Sequence, residues 1–464
     1  MGFVLSILYF VTYFLTPWTL FGPLAAYRVE LILAVLLMLV SAPALHKTFF
    51  LKTTQSGALA GLTVAVFLSV LIGMRWAHGS LTALLSFVPN GIAYFLVCLH
   101  CNTKRKLQVV VGMLMFVCLF VIWQGTRDLM RGFQENAHGL PDDEYGSRLE
   151  VWDIEHPYVH AQSNDLEEPY RIRGLGEIND PNDLGQLIIC VIPLVFVFWR
   201  AKKMLSNFFC VLLPVSGLLY GAYETHSRGA LLSLIAVTIV AARKRFGNFF
   251  SLLLGVGAFV GAMALQFTGG RAISAQAGSD RTGLWSASME VLKESPLFGV
   301  GFGALPDHIG MTAHNSVMVC AAELGVLGLY FWCLFLFPTV RDALVLSSTT
   351  NVSEGEPVTE AVGLYPQATR RREEIDKAEI NRLGQLMVLS LTGFLVTGWF
   401  LSRAFVMTLF LLGGMVEVIY QMALQRGMVA ERMPLKRSAV YAAGLGFGLV
   451  LAMYILLRVV HLMH

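Results

Sequence analysis

Apolar residues along this chain gather into runs of nearly uninterrupted hydrophobicity separated by short polar breaks. A helix needs about 20 mostly apolar residues to cross the hydrocarbon core of a bilayer. Runs of that kind lie near 3–21, 29–45, 56–73, 80–100, 107–124, 184–199, 207–223, 229–242, 248–267, 315–340, 383–400, 404–421 and 439–460. The run at 229–242 is short and must borrow flanking residues. The pattern predicts an all-α polytopic membrane protein of about 12–13 transmembrane helices. The first run has no basic segment before it and no small-residue cleavage site after it, so it reads as a retained helix and not a signal peptide.

Lys and Arg orient such a chain, because they stay preferentially in short cytoplasmic loops. With the N-terminus inside, the inner loops hold Lys47, Lys52, Lys104, Arg105, Lys106, Arg200, Lys202, Lys203, Arg243, Lys244 and Arg245, and later those between Arg341 and Arg382 and between Arg426 and Arg437. These loops contain nine of the ten lysines, leaving only Lys293 outside. The reading divides the chain into N-terminal transmembrane helices over 1–124, a large outer loop over 125–183 and further helices over 184–267. A second outer loop over 268–313, a helix over 314–340, an inner loop over 341–382 and C-terminal helices over 383–464 follow. The first outer loop carries fourteen acidic residues against five arginines. The inner loop over 341–382 predicts a flexible Ser/Thr/Glu stretch followed by a charged surface helix.

Composition agrees with the pattern. Of 464 residues, 56% are hydrophobic and 14% charged, which excludes a water-soluble surface. The net charge of +3 is too small for a nucleic-acid footprint, so no nucleic-acid partner is expected. Seven cysteines, all within or beside apolar runs, imply no disulfide framework. Cys98 and Cys101 are spaced as CxxC, but no second pair follows, and a helix end accounts for them. There is no Walker A loop, no Rossmann glycine pattern, no HExxH and no DxD pair, so the sequence gives no sign of a metal or other cofactor.

The chemistry-bearing residues lie at outer membrane boundaries. Arg228 falls in Thr225-His226-Ser227-Arg228-Gly229-Ala230-Leu231-Leu232, Arg281 in Ser279-Asp280-Arg281-Thr282, where an amphipathic helix running to Glu294 is expected to start, and His314 in Ala313-His314-Asn315-Ser316. Ionisable groups at membrane depth are costly and mark function by default. An arginine offers a planar fork of donors matched to phosphate oxygens. A histidine can take a proton from a hydroxyl near neutral pH. The opposing reading is that the arginines only snorkel to headgroups and the histidine only caps a helix.

His314-Asn315, nine residues, Gly325, two residues, Gly328 resembles a pattern of the O-antigen ligase and O-antigen polymerase family of bacterial membrane glycosyltransferases. Ser227-Arg228-Gly229-Ala230-Leu231-Leu232 is similar to that family's other recurrent signature, and Pro296-Leu297-Phe298-Gly299-Val300-Gly301-Phe302-Gly303 and Ala322-Glu323-Leu324-Gly325 also resemble it. The resemblance covers roughly 220–335. It implies a GT-C-like fold in the bacterial inner membrane with a periplasmic active site, and an inverting, metal-independent transfer of a glycan from undecaprenyl diphosphate. The acceptor would be a hydroxyl on a glycan, on the lipid A core or elsewhere. Arg228 and Arg281 would hold the departing diphosphate, and His314 would orient or deprotonate the acceptor. Asp280, His226 and Asn315 are expected beside the substrate.

Arg171-Ile172-Arg173 through Asn179-Asp180-Pro181-Asn182-Asp183 resembles an outer-loop stretch of exopolysaccharide polymerases in that family. Arg171 and Arg173 are candidates to bind donor phosphate or acidic sugar, with Asn179 and Asp183 meeting glycan hydroxyls. The competing reading is a turn and N-cap at Asn182 or Asp183. Glu323 lies about half a turn from His314 around the helix, and is expected to bond to a neighbouring helix, with Gly325 and Gly328 allowing close approach. The balance leans to a polymerase of surface polysaccharide. An O-antigen ligase or a protein O-oligosaccharyltransferase is the alternative within the family, and a lipid or polysaccharide transporter the alternative outside it. A transporter predicts broken helices near the midplane and an internal repeat.

Overall fold

A computed structural model describes residues 1–20, 29–45, 52–136, 156–160, 170–268, 275–348 and 367–463. Residues 137–155 and 161–169 of the acidic outer loop, and 349–366 of the Ser/Thr/Glu stretch, lie outside the described residues. The chain runs through α1 (Gly2–Leu15), α2 (Val29–Leu45), α3 (Thr54–Leu68, extended by a wider turn over Ser69–Gly73), α4 (Ala77–His100) and α5 (Lys104–Asn136). A two-stranded antiparallel ribbon follows, β1 (Val159–His160) with β2 (Arg171–Ile172). Then come α6 (Pro181–Val195), α7 (Leu213–Glu224), α8 (Arg228–Ala264), α9 (Ala275–Glu294), the short α10 (Leu305–Ile309), α11 (Ser316–Ser347), α12 (Gln367–Gly398), α13 (Met407–Gln425) and α14 (Leu435–Met463).

Ten helices among the described residues are long and apolar enough to cross a membrane, and Gly2–Leu15 and Ile32–Pro43 are shorter apolar helices. The protein is an all-α, multi-pass membrane protein. Its α8 counts once among the ten but is broken at Gly247, whose φ of 76° and ψ of 178° only glycine adopts readily. A side chain added at Gly255 would meet Ile239 and Ile235, so the two halves fold back on each other. This hairpin is what the paired apolar runs at 229–242 and 248–267 anticipate. The charged segment before 383 is not a separate surface helix: it belongs to α12, which continues without interruption into the span.

Lipid is as apolar as a leucine side chain, so close packing and internal hydrogen bonds hold such a bundle together. The spans of α6 and α13 are 83% buried within the protein, whereas that of α8 is 11% buried, which makes α6 and α13 central and α8 peripheral. Phe87 of α4 meets Phe302, Phe405 and Phe410 edge to face, and Phe335 of α11 meets Tyr94 and Phe410 in the same way. These rings lock α4, α11 and α13 into one core.

Polar contacts sort the helix ends into two groups. At one end Lys104 pairs with Glu379 at 2.7 Å, Lys244 Nζ donates to the Ser347 carbonyl at 2.8 Å, and Arg382 donates to the Val197 carbonyl at 3.1 Å. The lysine-rich loops gather there. The opposite end carries β2, the starts of α6, α8 and α11, and the connection from α12 to α13, held together by the bonds described below.

The helix headed by His314 is broken as well. Gly325 has φ 66° and ψ −169°, which ends one helix and starts another inside α11. Helix ends inside a membrane need partners for their freed backbone groups. The segment Pro296–Gly301 supplies them. Val300 and Gly301 donate to the carbonyls of Ala322 and Glu323 at 3.0 Å each, while Val326 and Leu327 donate to the carbonyls of Pro296 and Leu297 at 2.8 and 3.3 Å. A Cβ at Gly325 would overlap the Leu297 carbonyl, and one at Gly299 would overlap that of Glu323. Gly325 therefore serves a break in the helix and not a close approach of two whole helices. The buried Glu323 side chain accepts from the backbone N–H groups of Gly303, just after this inserted segment, and of Leu305, the first residue of the short α10.

Candidate active site

His314 stands immediately before α11. Its own φ is 49°, and its backbone N–H donates to Ser402 Oγ at 2.9 Å. Asn315 is the N-cap of α11: its Oδ1 accepts from Val317 N and Met318 N at 3.0 Å each, satisfying two of the donors a helix start leaves open. Its Nδ2 donates to the Trp399 carbonyl at 3.0 Å, and the residue is fully buried. Both ends of the Asn315 amide are thus engaged within the protein, which places it under the site as a support.

Arg281 lies in the second turn of α9, because that helix starts at Ala275, earlier than the expected Arg281. Its guanidinium sits over the Phe400 ring, 5.6 Å from the centroid. Trp285, one turn further on, faces the same way. It packs edge to face on Trp399 and donates from Nε1 to the Ala313 carbonyl at 3.0 Å. So α9 is docked on the segment that presents His314. Burial first, and then the positive charge of Arg281, lower the pKa of the half-buried imidazole below its ordinary 6.5, against a smaller opposing effect of Asp180. Asp280 falls on α9, but its side chain lies outside the described residues.

Arg228 opens α8, where the Ser227 side chain caps the helix by accepting from Ala230 N at 3.3 Å. Phe400 reaches this turn too, since its Cβ lies 3.6 Å from where a Cβ at Gly229 would sit. Phe400 thereby touches Arg281 and the residue next to Arg228. His226, with φ 46°, is buried, its Nδ1 3.1 Å from the Phe267 carbonyl and its ring against Tyr223. It shapes the turn that launches Arg228.

The 171–183 segment packs against the same turn. Arg171 is buried, donating from Nε to the Thr225 carbonyl at 2.8 Å and from Nη2 to Asn182 Oδ1 at 3.0 Å. Arg173 donates from Nε to the Pro157 carbonyl at 3.1 Å and lies 3.4 Å from His160 Nδ1. Both arginines brace the fold around the site through these bonds. The N-cap of α6 is Asp180, which accepts from Asn182 N at 2.7 Å, and not Asn182 or Asp183. Asp183 instead forms a two-pronged ion pair with Arg403, whose Nε donates to Oδ1 at 2.6 Å and whose Nη2 meets Oδ2.

Arg403 and its loop, Trp399 to Val406, are what the sequence reading missed. The available signal was a lone arginine in Phe400-Leu401-Ser402-Arg403-Ala404, between two apolar runs and on the side where basic residues are few. The loop is tied to the start of α11, where Ser316 Oγ donates to the Leu401 carbonyl at 2.7 Å and accepts from Arg403 N at 3.1 Å.

Beside the site, an apolar groove of about 690 Å³ runs along α11, α12 and α14, from Ser316 and Trp399 past Trp332, Leu336 and Phe394 to Arg341 and Ser348. Among the described residues, no three of His, Cys, Asp and Glu gather as metal ligands would. In chemical terms, this end of the bundle combines a histidine biased toward its neutral, proton-accepting form with two arginine forks suited to an anion. No curated protein matches the chain. The family model described as O-antigen ligase matches residues 213–333, from the first residue of α7 into α11, and so contains Arg228, Arg281 and His314 while Arg171, Asp183 and Arg403 fall outside it. Over that segment, about a quarter of its length, the chain is similar to the O-antigen ligase family.

Proposed function

We propose that this protein is a glycosyltransferase of the bacterial inner membrane that moves a glycan from undecaprenyl diphosphate to a sugar hydroxyl at the periplasmic face. The observation that carries the reading is the convergence of Arg281, His314 and the Arg228 turn on one loop at one end of the bundle. The lysine-rich loops at the opposite end support a periplasmic orientation.

In this reading the two arginines bind the diphosphate and stabilise the charge that develops as it leaves, a role for pre-placed donors at the point of charge development. His314, neutral at working pH, accepts the acceptor's hydroxyl proton. The freed oxygen attacks the anomeric carbon from the face opposite the leaving group, a carbon–oxygen bond forms, the bond to phosphate breaks, and the configuration inverts. Undecaprenyl diphosphate departs with the bonding electron pair. Arginine charge does here what a divalent cation does in many sugar transferases, so no metal is required. The groove that starts at Ser316 suits the polyisoprenyl chain of the donor, which must lie in the bilayer while its diphosphate meets the arginines.

The acceptor is assigned to the next lipid-linked repeat, which makes the protein a polymerase of surface polysaccharide. The test is a gene deletion with analysis of the lipid carrier. Single repeats accumulating on undecaprenyl diphosphate, with long chains lost, are expected. Finished long chains stranded on the carrier would overturn the polymerase assignment in favour of a ligase.

A further inference from the structure

The Trp399–Val406 loop lies outside the matched segment, yet each component of the site rests on it. Ser402 Oγ accepts the His314 backbone N–H, the Trp399 carbonyl accepts from the Asn315 side chain, the Phe400 ring lies under Arg281, and the Phe400 Cβ lies beside Gly229 at the start of α8. A connection between two membrane helices has few bonds of its own to set its shape. This one is clamped from outside by the Asp183 carboxylate, carried on the third residue of α6, which grips the Arg403 guanidinium with both oxygens. Asp183 is buried, and a buried carboxylate left without its partner charge is strongly unfavourable, so the pair resists opening. The same α6 start is tied through Asn182 to Arg171, and through it to the turn before Arg228. One ion pair therefore joins the segments that carry all three reacting side chains.

We propose, building on the glycosyl-transfer reading above, that Arg403 is a positioning residue: its ion pair with Asp183 fixes the 399–406 loop so that His314 and Arg281 meet the same substrate. It acts through the loop and not by contact with the diphosphate. A misplacement of about 1 Å at a reacting group costs on the order of 100-fold in rate, so loosening this clamp lowers turnover more than donor binding.

The test uses the full-length purified protein in lipid nanodiscs, with initial rates measured over a range of lipid-linked donor. Arg403→Ala and Asp183→Asn are each expected to lower kcat about tenfold or more while the donor KM stays within about threefold. The double variant should be no slower than the worse single one, because the two residues act as a unit. Arg403→Lys, which keeps the charge but not the fork, should recover part of the rate. Ser402→Ala removes only the hydroxyl under His314 and should lower kcat about threefold at unchanged KM, a modest fraction of what full misplacement costs. If Arg403→Ala is not recovered from membranes, Ser402→Ala decides. The proposal is overturned if the deciding variant turns over within twofold of the wild type, or loses activity through donor KM alone. His314→Ala and Arg281→Ala run in parallel: wild-type rates in those would sink the glycosyl-transfer reading, whereas their loss beside a normal Arg403→Ala would sink only the positioning role.

Discussion

Arg281 and His314 are coupled through space: after burial, the guanidinium on α9 is the largest influence holding the imidazole before α11 below its ordinary pKa of 6.5. Asp180, at the start of α6, pulls the other way. A base works in its neutral form, and a lowered pKa keeps that form present to lower pH. The acid limb of kcat/KM against pH, which reports the free enzyme, should therefore fall below pH 6.5. Asp180→Asn keeps a residue that caps α6 well but removes the opposing charge, so it should move the limb to still lower pH. A limb that moves upward in Asp180→Asn would contradict the coupling.

The break at Gly325 makes a prediction about folding. Gly325 and Gly247 share a backbone conformation open only to glycine, which costs other residues about 1–3 kcal/mol. At Gly247 a methyl group meets nothing within 4 Å, whereas at Gly325 it overlaps the Leu297 carbonyl. Gly247→Ala should remain close to wild type in membrane abundance and lose only that strain energy in thermal stability. Gly325→Ala should be far less abundant and less stable, since the inserted Pro296–Gly301 segment must also move. Equal stability of the two variants would refute the account of the break.

Asn315 separates capping from substrate contact. Asn315→Ala removes the α11 cap, for about 0.5–2 kcal/mol, together with the bond to Trp399. Asn315→Ser keeps a capping oxygen without burying a charge and loses the donor to the Trp399 carbonyl, so its melting temperature should fall between those of the wild type and Asn315→Ala. Donor KM should change little in either. A KM that rises tenfold in Asn315→Ser, with stability unchanged, would return Asn315 to the substrate.

Much of this was legible before any coordinates. Apolar runs of bilayer length mark the spans, down to the α8 hairpin, because lipid imposes the same length on every crossing. Arg228, Arg281 and His314 stand out because an ionisable group beside a span needs a reason. What stayed hidden depends on partners distant in the chain. Arg171 has the same side chain whether it faces a phosphate or the Thr225 carbonyl, and only the packing of β2 against the α8 turn distinguishes the two. Asp183 was visible, but its partner Arg403 lies 220 residues away. Gly325 showed as a small residue in a span, and nothing local announces that Pro296–Gly301 enters to satisfy a break there.

In the proposed function arginine supplies the charge that a divalent cation would, so the reaction is expected to need no metal. Transfer by the purified protein should be unchanged after chelation by EDTA and unaffected by added magnesium or manganese. A rate that collapses on chelation and returns with one cation would require a different source of charge at the diphosphate.

The central claim is tested most directly by the rate of glycan transfer from purified lipid-linked donor in the wild type and in Arg228→Ala, Arg281→Ala and His314→Ala, with donor binding measured on the same samples. Loss of a positioned base is worth about 100- to 10,000-fold, so His314→Ala should bind donor normally and transfer slower by that order. The arginine variants should lose both transfer and affinity for the diphosphate. Transfer at the wild-type rate in all three would contradict the account.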